Sequence, residues 1–176
     1  SIRRLRQMCI RDSDHPAYID ALRQSVADEV ARLDWTPDRY LITFHGIPKR
    51  YVDEGDPYRR QCEETRRLLA HALDLSDDQW LGGFQSRFGR ETWLQPYTDE
   101  TLEAFGEKGV KKLLAACPGF TSDCLETIDE IGREGLEEFT DGGGEQFHLS
   151  PCLNDHPMWM DAMAQIAREE TVGWAE

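Results

Sequence analysis

Four short apolar runs, each followed by a turn and a helical pattern, constrain this chain more than any other feature. Residues 40–44, 80–84, 110–117 and 146–149 read as strands. Around them, apolar residues recur at helical spacing. Ile19, Leu22, Val26, Val30 and Leu33 mark a first helix opened by His15-Pro16. A second runs over 58–75 with Cys62, Thr65, Leu68, Leu69 and Ala72 inward, Asp56 as its N-cap and Pro57 at its first position. A third begins at Thr98-Asp99-Glu100 and ends near Gly106 or Gly109. Ser122 or Asp123 caps a fourth, which Asp141-Gly142-Gly143-Gly144 breaks, and a closing helix spans 157–168 on Trp159, Met160, Met163 and Ile166. Strand and helix alternating in this way predict right-handed crossovers and an open, mostly parallel α/β sheet of about four strands, flanked by helices on both faces.

Ligands of open α/β sheets sit beyond the carboxyl ends of the strands. His45, the segment Ser86-Arg87-Phe88-Gly89 and the turn at 118–123 all follow strands, so all gather at that edge. A neutral imidazole there can bind metal or take a proton near neutrality. It can equally be a strand-end histidine satisfied by backbone, although Gly46 and Pro48 shape a sharp turn around it. Glu126, Glu130 and Glu134 stand one helical turn apart, a row suited to protons or a divalent cation. On an ideal helix Leu125, Ile128, Leu136 and Phe139 form the core face, which leaves the acids on the solvated side. Their i, i+4 repulsion costs about 0.2–0.5 kcal/mol per pair. Ser86 and Trp93 belong to two aromatic segments, 84–89 and 93–96, that suit either a flat apolar ligand or simple packing. Cys124 is a thiolate ligand or a space-filler, and His148 and His156 lack zinc-ligand spacing.

Composition excludes more than it identifies. A formal charge of −14 argues against a nucleic-acid partner, since such binding rests on Lys and Arg neutralising phosphates. A chain of 176 residues, 39% hydrophobic and 31% charged, fits one soluble domain with a real core. It has no apolar run long enough for a bilayer and no signal-peptide pattern. Five cysteines without a CxxC pair fit reduced thiols and a cytoplasmic setting. Residues 1–13, with Arg3, Arg4, Arg6 and Arg11, read as a basic arm or as a segment foreign to the domain; they are left unassigned, and the domain is taken as 14–176.

An ordered set of motifs runs through that domain. It comprises Thr43-Phe44-His45-Gly46-Ile47-Pro48, Gly55-Asp56-Pro57-Tyr58, Phe84-Gln85-Ser86-Arg87-Phe88-Gly89 and Trp93-Leu94-Gln95-Pro96-Tyr97-Thr98. Cys117-Pro118-Gly119-Phe120-Thr121-Ser122-Asp123-Cys124-Leu125-Glu126-Thr127 and Cys152-Leu153-Asn154 complete it. The set resembles the ferrochelatase family, in its proteobacterial branch. The resemblance implies a Rossmann-like, chelatase-type fold, one lobe of a two-lobed enzyme about twice this length, with the N-terminal lobe missing. It implies insertion of Fe²⁺ into protoporphyrin IX, the last step of haem biosynthesis. His45 matches the family's active-site histidine and Glu126 the acid facing it, the pair sharing catalysis and metal contact. Glu130 and Glu134 match further acids that relay protons or metal, and Phe120 and Asp123 match positions near the site; Ser86 and Trp93 join them as substrate pocket. The family's helix here carries an irregular turn that aims the acids inward. Its macrocycle is held saddled, exposing nitrogen lone pairs. Cys124 departs from relatives with a second histidine. No cysteine follows Cys152, so no iron–sulfur cluster is expected, and peripheral membrane contact belongs to the full-length enzyme. Two other readings stand beside this one: a non-catalytic tetrapyrrole- or metal-binding module, and a half-length homodimeric tetrapyrrole chelatase.

Overall fold

β1 (Arg39–His45) is the strand around which the rest is arranged. In this computed structural model, which describes residues 12–174, β1 pairs in parallel with β2 (Trp80–Gln85) on one side and with β3 (Lys112–Ala116) on the other. β4 (Gln146–Leu149) adds in parallel beyond β3, giving the order β2-β1-β3-β4. Every pairing within this sheet is parallel. The chain moves outward from β1 to β2 and then crosses back to β3. That reversal opens a crevice beyond the carboxyl ends of β1 and β3.

Alternation along β1 divides the core in two. Ile42 and Phe44 face one layer, with Phe84, and are covered by α1 (Pro16–Arg32), α3 (Tyr58–Ala72) and α7 (Pro157–Glu170) through Tyr18, Leu22, Leu69 and Trp159. Leu41 faces the other, with Leu113 and Ala115, under α4 (Thr98–Glu107) and α6 (Gly135–Asp141) through Leu102 and Phe139. Thr43, fully buried on that second face, shares a 2.7 Å hydrogen bond with Thr98 at the start of α4. A parallel sheet buried on both faces needs such continuous apolar cover.

Several local readings need correction. A short helix, α2 (Lys49–Asp53), follows the turn after His45. Asp56 lies one position before the N-cap of α3, Pro57, yet its carboxylate accepts the N–H of Tyr58 as a cap does. Met160 and Met163 of α7 are exposed, and Trp159, Ala162 and Ile166 carry the packing instead. Arg66 of α3 is buried. Its guanidinium donates to the carbonyls of Ile42 and Gly83 and occupies the space beside Gly82 where a Cβ would stand.

α4 and α6 meet backbone to backbone. A Cβ on Gly106 would come within 2.5 Å of the Gly142 carbonyl carbon. Gly106→Ala is therefore expected to lower unfolding free energy by about 1–3 kcal/mol. The measurement is a reduced urea midpoint at unchanged slope, and an unchanged midpoint would show that the contact yields without cost.

Candidate functional site

The strand ends deliver the first residues of the crevice. His45 closes β1, half-buried, with its ring centroid 6.2 Å from that of Trp93 and 6.3 Å from that of Phe120. Its Nδ1 lies 2.6 Å from the Gly46 carbonyl. A carbonyl only accepts, so Nδ1 carries the proton and the neutral ring keeps its lone pair on Nε2. The Tyr58 hydroxyl donates to the His45 carbonyl at 2.8 Å, fixing the strand end from behind.

The opposite wall is a helix that changes its pitch. It begins as α5 (Leu125–Thr127), runs as π-helix over Ile128–Glu134 and returns to α-helix in α6. The Gly135 N–H bonds back to the Glu130 carbonyl, an i→i+5 contact. In a pure α-helix four residues overrun a full turn by about 40°. Wide turns underrun it, so the mixed segment keeps residues four apart nearly in line. Thr127, Ile131, Gly135 and Phe139 form the buried line. Glu126, Glu130, Glu134 and Glu138 form a second line beside it. The expectation that Leu125, Ile128 and Leu136 face the core is overturned. They are 73%, 60% and 39% exposed, because that expectation assumed the α period throughout.

Three contacts pin this helix to the strand ends. Gln85, paired beside His45 in the sheet, is buried, and its Nε2 donates to the Glu126 carbonyl at 2.6 Å. The Cys117 thiol donates to the Gln85 Oε1. Ser86 has a left-handed φ of 65°, which turns both its N–H and its hydroxyl onto the Glu130 carboxylate, each at 2.5 Å. At the entry to α5, Cys124 is the N-cap, where Ser122 or Asp123 was expected. Its N–H donates to Thr127 Oγ1 at 3.0 Å, and its side chain accepts the Thr127 N–H.

Electrostatics follow from these placements. Glu126, half-buried, has its carboxyl held below the ordinary range by its own backbone N–H, the Cys124 thiol and the nearby His45 ring. Burial pulls the Asp123 carboxyl upward, but hydrogen bonds from the Cys152 N–H and the Asn154 amide bring it below its usual value. Burial pushes the Cys117 thiol up, and that of Cys152 to about 12, so neither offers a thiolate near neutrality. Glu130, Glu134 and Glu138 line a cavity of about 170 Å³ with Ser86, Arg87 and Asp99. Arg87 is tied to Asp99 at 2.5 Å and to Glu100 at 3.0 Å.

The His45 ring thus neighbours Trp93 and Phe120 and lies near enough to Glu126 to act on its carboxyl, while Glu130 and Glu134 line the cavity beside Ser86. Ser86 is spent on Glu130, and Asp123 is engaged by the loop after β4. His148 and His156 lie elsewhere, directed at Glu29 and Asp28 of α1. Among the described residues no three His, Cys, Asp or Glu side chains form a set able to hold a metal. Sequence reading passed over Gln85, whose role depends on a register no periodicity reveals. It also passed over Glu138, whose spacing from Glu134 repeats the row.

A parallel α/β lobe with an imidazole at its switch point and an acid-bearing π-helix opposite is a chelatase-type lobe. The sequence model for Ferrochelatase matches residues 7–171, and this chain belongs to the ferrochelatase family. The match begins within the segment left unassigned above, most of which lies outside the described residues. Ferrochelatases of Brucella ovis and Brucella abortus are 52% identical to it over 159 residues, 90% of this chain and 45% of each relative. The chain therefore spans under half the length of these curated relatives. The solved structure of SirB from Bacillus subtilis with Fe³⁺ shares the fold, with a TM-score of 0.61 at 14% identity, over 89% of this chain and 54% of that one.

Burial, with Asp99, Glu134 and Glu130 close by, raises the Glu138 carboxyl to about 7, against the pull of Arg87. A carboxyl raised on folding stabilises the fold at low pH, and that contribution fades as pH rises from its unfolded value through about 7. Glu138→Gln should therefore gain stability over wild type at pH 8 and not at pH 4. Thermal melts of both proteins at the two pH values are the check, and a pH-independent difference would show that Glu138 titrates normally.

Proposed function

We propose that the crevice takes protoporphyrin IX between His45 and Glu126 and that these residues serve insertion of Fe²⁺ into it. Metalation releases two pyrrole protons, so a base must meet the face of the ring. His45 supplies it at Nε2, the nitrogen left free by the Nδ1–H bond to Gly46. Glu126 meets the opposite face as a carboxylate. Glu130 and Glu134 lead protons or hydrated cation along the helix, as oxygen ligands bind Fe²⁺ weakly enough to release it. Phe120 and Trp93 border the imidazole, and exposed Phe88, Leu125 and Ile128 add apolar surface fitting a flat macrocycle. Phe88 packs against Trp93 in a tilted contact, 5.2 Å between centroids. A second lobe, as the family resemblance implies, closes over the ring in the whole enzyme. The observation that carries this reading is the π-helical stretch that holds the acids in one line leading from His45.

The purified chain is tested with protoporphyrin IX and Fe²⁺ under anaerobic conditions, following loss of porphyrin fluorescence. His45→Ala should slow insertion by about 10²–10⁴-fold, and Glu126→Gln should slow it as well, with porphyrin still bound. Binding without insertion by the wild-type chain would make it a tetrapyrrole-binding module. Undiminished insertion by both variants would remove the site.

A further inference from the structure

We infer that Asp123 and Asn154 form a positioning pair for Glu126, with Asp123 acting through its hydrogen bonds and not as a carrier of protons or metal. The inference rests on the reading of Glu126 as an acid of the insertion site. Asp123 closes the turn after β3, and Asn154 lies in the loop after β4. Their bonding is reciprocal. The Asp123 N–H donates to Asn154 Oδ1 at 2.9 Å, and Asn154 Nδ2 donates back to Asp123 Oδ2 at 2.7 Å. The other carboxylate oxygen of Asp123 accepts the Cys152 N–H at 2.9 Å, and the Asn154 N–H donates to the Thr121 carbonyl at 2.8 Å. Asn154 takes a left-handed φ of 46°, a conformation Asn tolerates better than most residues. Two loops from neighbouring strands are thereby tied by four hydrogen bonds.

The tie sits where the pitch of the acid-bearing helix is set. Asp123 directly precedes Cys124, the N-cap, and Glu126 lies in the first turn after it. A rotation of the cap would carry the Glu126 carboxylate with it, whereas Gln85 fixes only the Glu126 backbone carbonyl. Both carboxylate oxygens of Asp123 accept donors from the loop after β4, which ties its side chain into the turn. Misplacing a reacting group by about 1 Å can cost a hundredfold in rate.

The pairing can be inverted without losing a bond. Asp123→Asn alone sets two amides against each other, and at least one donor meets another donor. Asn154→Asp alone sets two carboxylates face to face. The double exchange Asp123→Asn with Asn154→Asp restores complementarity. The amide introduced at position 123 accepts from the Cys152 N–H and donates to the carboxylate introduced at position 154. That carboxylate still accepts the backbone N–H of position 123. Each protein is assayed for Fe²⁺ insertion into protoporphyrin IX and for amide hydrogen exchange. Each single variant should lower kcat by about 10- to 100-fold with porphyrin KM nearly unchanged. Exchange across residues 124–130 should quicken in the single variants, while that of α1 and α3 stays as in wild type. The double exchange should return both measurements towards wild type. A double exchange that regains the exchange pattern but stays as slow as Asp123→Asn would mean that the carboxylate at 123 is itself required, and single variants with normal kcat would equally overturn the pair. If the wild-type chain inserts no iron, the activity reading falls by itself. Amide exchange then decides the pair: quickening in the singles with recovery in the double exchange upholds it, and no quickening ends it.

Discussion

The widening of one helix from i→i+4 to i→i+5 bonding decides what the carboxyl edge of this sheet can be. Between Ile128 and Glu134 the wide turns cancel the drift of residues spaced by four. One line, through Thr127, Ile131 and Phe139, enters the core, and the adjacent line of acids is held at the crevice. A regular α-helix over the same stretch would swing Glu138 about 120° from Glu126. It would also bury Leu125 and Ile128, leaving the crevice without its apolar rim. π-helical turns are rare and cluster at functional sites, and here the alignment of acids with His45 gives the physical reason.

Wide turns need support from outside the helix, and the strand ends provide it. Gln85 reaches the Glu126 carbonyl from the residue paired with His45 in the sheet. Ser86 spends a left-handed backbone conformation to present two donors to Glu130. That strain is local and is matched by two charge-assisted bonds. The acids therefore stand near one another because the sheet edge holds them there. Carboxylates crowded in this way repel, and partial burial of Glu138 leaves one of them titrating near neutrality.

Sheet order links these supports to a single place. β1 is flanked on both sides, and its neighbours β2 and β3 are reached in opposite directions, so His45, Ser86 and Phe120 all follow strand ends at one edge of the sheet. Family membership and a shared fold with SirB agree with this architecture.

Much of this was legible in the residues themselves. Strand β4 falls where its apolar run predicts, and α1, α3, α4 and α7 begin where their caps and prolines indicate, to within a residue or two. Local propensity and periodicity suffice for such elements, because each is specified by side chains within its own length. The ordered motifs likewise carried the family. What the sequence could not yield was the facing of Leu125 and Ile128, the burial of Arg66 beside Gly82, or the bond from Gln85 to Glu126. Each depends on partners dozens of residues away, or on a helical pitch that a period of 3.6 residues does not describe. Sequence determined where most strands and helices fall and that they alternate into a parallel α/β sheet. Only tertiary packing decided which side of one helix meets the imidazole, because its wide turns are held by residues at the ends of strands far away in the chain.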